Sequence, residues 1–395
     1  MNYTHTKIAC YLSCFIQAIN ISFLPLLYVT FNEAYGISYE KLGLLSVFSF
    51  VLQLGVDLIS VKLLCRIGYR AAAISGNLLS AIGFVMLAVL PRVLTSSFLA
   101  VIAATAVYSL GSGLIEVIMS PIIEYLPTKN KAAQMSLLHS FFCWGQVLTI
   151  TVSTLLLLAL GRRNWYYIAL LWALVGLINA VLFTRVPIID PEKTNATHSA
   201  KGVLRSPVFY GVMLLMLAAG ASELSVSSWA SAFAERGLSL SKTVGDLLGP
   251  CCFAVLMGVG RLLYGLYGEK IKIEKALFFS GVLCFAGYLI LFLNISPVLS
   301  LVATALIGLS VSLMWPGALS LGAARFQNSA TLLFGFAAAF GDTGCSVGPY
   351  IMGVMTERSS MQSGFLICSV FPLLIIIIAA CFLKYSCKKT ENVLK

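Results

Sequence analysis

The chain has 395 residues, 59% of them hydrophobic and only 10% charged. A water-facing domain carries about 25% charge, so these proportions exclude a single soluble globule and point to a polytopic membrane protein solvated by lipid. The formal charge of +11 would suit nucleic acid in a soluble protein, but beside apolar spans lysine and arginine set membrane orientation instead, and no nucleic-acid partner is expected.

Crossing the hydrocarbon takes about 20 apolar residues as a helix, and short polar breaks divide the chain into twelve such segments. The first, 7–31, is too long for a signal-peptide core and no A-x-A-like site follows it, so it is read as a retained span. Gln17 and Asn20 give it uncharged hydrogen-bonding groups. Span two (41–64) carries Asp57, five residues before Lys62, a spacing that predicts an ion pair or contact at a helix end. Span three is 71–90.

Span four (96–126) contains GSGLIEVIMSP, residues 111–121. A carboxylate facing lipid costs roughly 2.5–3.5 kcal/mol even on a lenient scale, so Glu116 is expected on a cavity or partner side. Span five (132–160) holds LLHSFFCWGQ, which places His139, Trp144 and Gln146 as candidate cavity residues. Histidine titrates near physiological pH, and His139 and Gln146 are seven apart, on one face over two turns. Span six is 165–185.

The polar stretch that begins at Val186 is the long linker. It predicts a first half at 1–185, a cytoplasmic linker at 186–206 and a second half at 207–395. The later spans are expected at 207–235, 244–267, 275–294, 297–322, 330–356 and 361–384. GASELSVSSWASAF (220–233) is unusually polar for a span. Helical spacing puts Glu223, Ser227 and Ala230 on one face with Trp229 beside it. A carboxylate, a hydroxyl and an indole suit a sugar or another small polar solute, with interhelical bonding as the alternative. Trp315, before Pro316 in span ten, is a comparable candidate. Asp342, in AFGDTGCSVGP, lies among glycines in span eleven and joins Glu116 as a candidate for coupling.

The halves echo each other. MSP (119–121) and MWP (314–316) lie 195 residues apart, and WGQ (144–146) and FGD (340–342) lie 196 apart. A near-constant offset predicts a parallel six-helix duplication. Nineteen of the 26 Lys and Arg residues fall on the side of the termini, which places both termini in the cytoplasm of a cell-membrane protein.

CRIGYR (65–70), between spans two and three, resembles the D-[RK]-x-G-[RK]-[RK] signature of the major facilitator superfamily, with Cys65 where the signature has aspartate. GRLLYG and GEK (260–270) resemble its second-half counterpart. Within that superfamily, G-x-G-L-x-E-x(4)-P at Gly111–Pro121 resembles span four of the fucose–proton symporter group. The aspartate which that group carries late in span one is missing from QAINISFLPLL (17–27). The resemblance implies an all-α membrane protein, a major facilitator fold of twelve transmembrane helices in two pseudo-symmetric halves. It also implies a secondary carrier, with Glu116 taking and releasing a proton.

No GxxxxGK[ST] phosphate loop is present. The eleven cysteines form no CxxC pair, and three histidines offer little for a metal, so no cofactor or metal is expected. GCSVG (344–348) matches the GxSxG pattern of nucleophilic serines. A nucleophile needs a base in reach, and for Ser346 only His139, in the other half, is available. Enzyme activity is therefore not expected. The leading expectation is a proton-coupled symporter for a small polar solute, with sodium coupling open. An efflux carrier for amphipathic compounds is the second reading, and a membrane receptor or scaffold is remote.

Overall fold

The computed structural model describes residues 1–127, 131–189, 205–267, 272–326 and 330–393. Most of the expected linker, 190–204, lies outside the described residues. Among the described residues, eleven helices are long and apolar enough to cross a membrane. In the first half they are span 1 (Tyr3–Tyr35), span 2 (Tyr39–Ile59), span 3 (Arg66–Val93), span 4 (Ser97–Ile123), span 5 (Leu137–Leu160) and span 6 (Arg162–Arg185). The second half has span 7 (Pro207–Gly237), span 8 (Lys242–Tyr264), span 9 (Ile273–Leu293), span 10 (Pro297–Gly322) and span 12 (Met361–Lys384). Span 11, the helix Ala330–Arg358, completes twelve. Asp342 and its glycines make it more polar than the rest, as befits a helix packed against spans 2 and 7.

Alternating passage puts the termini at one end of the bundle, the terminal end. The connections after spans 1, 3, 5, 7, 9 and 11 lie at the other, the distal end. Spans 1 and 7 are the most enclosed, with 72% of their most apolar stretch buried against 33% for span 2. They form the axis. Span 6 shows the opposite habit. Leu170, Leu174, Leu177, Ile178 and Val181 are exposed along one face, while Ile168, Trp172, Asn179 and Phe183 turn inward. In water such an outward stripe would be a liability. In lipid it is solvated.

Polar groups tie the first half together. Asn179 Nδ2 donates to Ser13 Oγ (2.8 Å) and to Asn77 Oδ1 (2.9 Å), joining spans 1, 3 and 6. With no water in the hydrocarbon, such bonds fix helix register. Gly68 turns the chain between spans 2 and 3 at φ 74°, a left-handed conformation that a side chain would strain. The glycine of CRIGYR thus has a local cause.

The axial helices are broken. Span 1 is α-helical over Tyr3–Ser22, passes through a 3-10 turn at Leu24–Leu27 containing Pro25, and resumes at Tyr28–Tyr35. Span 7 is helical over Pro207–Ser227, breaks at Ser228–Trp229 and resumes at Ala230. Span 10 breaks between Val311 and Met314, just before Pro316. Proline removes a backbone donor and clashes with the preceding turn, and irregular backbone at membrane depth persists only where protein or a cavity surrounds it. The breaks mark the centre of the molecule as the place to look for a site.

Candidate functional site

Two adjoining spaces lie between the halves at these breaks. One, of about 370 Å³, is lined by Ser22 and Pro25 of span 1, Gln146 and Ile150 of span 5, Ser227, Ser228 and Ser231 of span 7, and Phe253 of span 8. The other, of about 360 Å³, is lined by Asn20, Tyr28, Ser46, Ser49, Tyr108 and Ser228 among others. Both touch Ile21, Pro25 and Ser228.

The walls carry hydroxyls and amides and no charged side chain. Asn20 Nδ2 donates to Ser80 Oγ at 3.0 Å, and its Oδ1 is buried with no partner among the described residues. Gln146 Oε1 is likewise buried without a partner. A buried acceptor left unmade costs on the order of 1–3 kcal/mol, so these oxygens await a donor.

Below the cavity, toward the terminal end, lies a carboxyl group cluster. Gln17 Nε2 donates to Glu116 Oε2 at 3.1 Å, joining spans 1 and 4. Asp342, 4% exposed, has Glu116 and Asp57 as its charged neighbours across the interface, and its Oδ2 has no partner among the described residues. Asp57 was expected at a helix end with Lys62. The side chain of Lys62 lies outside the described residues, and Asp57 instead shares this site. Trp315 sits beside it, its ring so close to Gly341 that a Cβ there would meet it at 2.2 Å. It packs with Ile21, Phe50, Leu224 and Cys345.

Glu223 is buried, with Oε2 3.8 Å from Nη2 of Arg261. Arg261, which the Lys and Arg count places on the terminal side, stands inside the bundle, where the span 8 helix runs on to Tyr267. It lies against Cys143, and His139 is within its electrostatic reach. His139 and Trp144 are exposed and do not line the cavity. Gln146, two turns further along the helix from His139, does.

Trp229 requires a correction. The helix breaks before it, its indole is fully buried, and Nε1 donates to Pro349 O at 3.1 Å. Its ring packs on Tyr28 and Tyr39 at 5.2 and 5.9 Å between centroids. The indole is committed to the packing of the halves at the distal end and offers no free face to a solute. Ser227, by contrast, lines the cavity.

The distal end is closed by further contacts between the halves. Glu33 pairs with Arg236, and Arg162 with Glu235. Tyr39 N donates to Glu357 Oε2 at 2.9 Å. Gly43 and Gly353 bring spans 2 and 11 so close that a Cβ on Gly353 would meet Tyr39 O at 2.6 Å. Deeper in, Asp246 of span 8 accepts from Thr154 Oγ1 of span 5 at 2.8 Å.

Comparison places this architecture. No curated protein sequence matches the chain. Among solved structures, a D-xylose–proton symporter superposes with TM-score 0.79 at 14% identity, over 96% of this chain and 97% of that one. A nucleoside transporter, NupG (D323A mutant), superposes with TM-score 0.79 at 13% identity, over 95% and 99%. At such identities the likeness is one of fold. The Major Facilitator Superfamily model matches residues 10–331 and 251–394, so that with twelve spans, two halves and a cavity between them, the chain is a membrane transporter that belongs to the Major Facilitator Superfamily.

Proposed function

We propose that the protein carries a small, uncharged polar solute, a sugar or nucleoside, by alternating access and in symport with protons. The observation that carries the reading is the serine-lined space between the halves, with the unpartnered Gln146 Oε1 and Asn20 Oδ1 at its walls. Solute hydroxyls or amines would supply the missing donors, and the serines would take up solute acceptors. The solved relatives named above, a xylose symporter and a nucleoside transporter, handle solutes of this chemistry.

Glu116 is the proton carrier in this reading. It stands in the segment that resembles the fucose–proton symporters, hydrogen-bonded to Gln17 and near Asp342 of the opposite half. As the halves rock, its access to water and to that second carboxyl changes, which is what exchange of a proton for solute movement requires. The terminal end faces the cytoplasm, since Lys and Arg concentrate there. The linker expected at 186–206 would join the two halves on that side.

A thermal-stabilisation screen tests the solute class. A bound solute raises apparent stability by mass action, about 2.7 kcal/mol at a hundredfold excess over Kd. Pentoses, hexoses or nucleosides should raise Tm by several degrees, and Gln146→Leu should remove the shift. Stabilisation by amphipathic cations alone would favour efflux and overturn the reading.

A further inference from the structure

Ser231 belongs to two structures at once. It lines the cavity, and its Oγ donates to Asp246 Oδ1 at 2.5 Å while accepting from Lys242 Nζ at 2.6 Å. Lys242 Nζ also donates to Asp246 Oδ1 at 2.8 Å. The second carboxylate oxygen, Oδ2, accepts from Thr154 Oγ1 at 2.8 Å. Asp246, Thr154, Ser231 and Lys242 are 0%, 1%, 3% and 7% exposed. Three of them belong to the second half and one, Thr154, to the first.

Taking an ion pair out of water costs several kcal/mol per ion unless its hydrogen-bonding capacity is filled. Here Asp246 receives three donors from three side chains, one of them from across the seam. If the halves part at the distal end, the carboxylate loses Thr154. Ser231, for its part, has spent its one donor and one of its two lone pairs. One acceptor site remains, on the residue that borders the cavity.

We propose that the Lys242–Asp246 pair is a solute-sensing distal latch, in which Ser231 transmits occupancy of the cavity to the Thr154–Asp246 bond that closes the halves. A solute O–H or N–H donating to Ser231 Oγ polarises its hydroxyl and strengthens its bond to Asp246 Oδ1, which holds the carboxylate in the orientation that presents Oδ2 to Thr154. The latch is then firmer with solute bound than without, so a solute entering from the distal side closes that side behind it. Asp246, Lys242 and Thr154 act as positioning residues that need not touch the solute. The solute-sensing step rests on the reading of the cavity as the solute site. The latch itself does not.

Fluorescent unnatural amino acids at Leu94 and Ile295, exposed in distal connections of opposite halves, report opening by single-molecule energy transfer on the full chain. Hydrogen bonds to charged groups contribute roughly 1.5–3 kcal/mol. Thr154→Val should therefore shift the closed-to-open ratio toward open by about tenfold or more, and Thr154→Ser should restore it. D-xylose and uridine are the probes for sensing. Whichever stabilises the protein in the screen should lower the open fraction of the unmodified protein and of Ser231→Thr, but not that of Ser231→Ala. An unchanged distribution in Thr154→Val overturns the latch. Closure of Ser231→Ala to the same extent as the unmodified protein, or no closure by a solute that binds, overturns the sensing. If neither probe binds, the solute reading fails while the Thr154 variants still decide the latch.

Discussion

Glu116→Gln is expected to abolish uphill accumulation of solute while leaving binding intact. The substitution keeps an oxygen at the position that accepts from Gln17 at 3.1 Å, so the contact between spans 1 and 4 survives. What it removes is the exchangeable proton. With one proton per solute, a pH difference of one unit corresponds to 1.36 kcal/mol and hence to roughly tenfold accumulation. In proteoliposomes under such a gradient, the variant should fall to a ratio near one, with solute exchange retained. Accumulation at the unmodified level would remove Glu116 from coupling and leave it an interhelical contact. Asp57→Asn is not a silent control, because Asp57 shares the carboxyl site with Glu116 and Asp342.

The second large effect is on folding. Gly344→Val should leave little folded, monodisperse protein. A Cβ at Gly344 would stand 1.9 Å from Leu217 O and 2.9 Å from Ala221 N, both backbone atoms of span 7 that cannot swing aside. Spans 7 and 11 would have to part, undoing one of the tightest seams of the second half. Overpacking ordinarily costs about 1–3 kcal/mol, and a clash with rigid backbone exceeds that range. Gly55→Ala serves as the comparison. Nothing lies within 4 Å of its added Cβ, and alanine favours a helix by about 1 kcal/mol over glycine. Size-exclusion profiles and Tm should separate the two. A well-folded Gly344→Val would mean that spans 7 and 11 do not pack as described.

Why these features differ in how visible they are from the sequence follows from what sets them. The spans are legible because lipid demands long apolar runs, and most expected limits lie within a few residues of the observed ones. Glu116 is legible because a carboxylate in such a run needs a reason. The offset between WGQ and FGD pairs Gln146 with Asp342 by sequence, and each has a buried oxygen lacking a partner among the described residues.

Lys242 and Asp246 are not legible in the same way. An i, i+4 charge pair at the start of a helix reads as a solvated end, and only the approach of Thr154 from span 5 seals it. Arg261 falls within the expected span 244–267, but nothing local shows that Glu223 of span 7 and Cys143 of span 5 gather around it. Trp229 misleads for a related reason. Helical spacing places it beside Glu223 and Ser227, whereas the break at Ser228 sends its indole into the distal packing.

The central claim is that the serine- and amide-lined space between the halves binds an uncharged polar solute and moves it. Counterflow of radiolabelled D-xylose and uridine into proteoliposomes, comparing the unmodified protein with Gln146→Leu, tests it most directly. Counterflow needs no ion gradient, so the result does not depend on Glu116. Saturable uptake of one of the two solutes, with KM raised at least tenfold in Gln146→Leu at unchanged protein Tm, is the expected result. Absence of saturable uptake of either solute, or uptake that Gln146→Leu leaves unaltered, would contradict it.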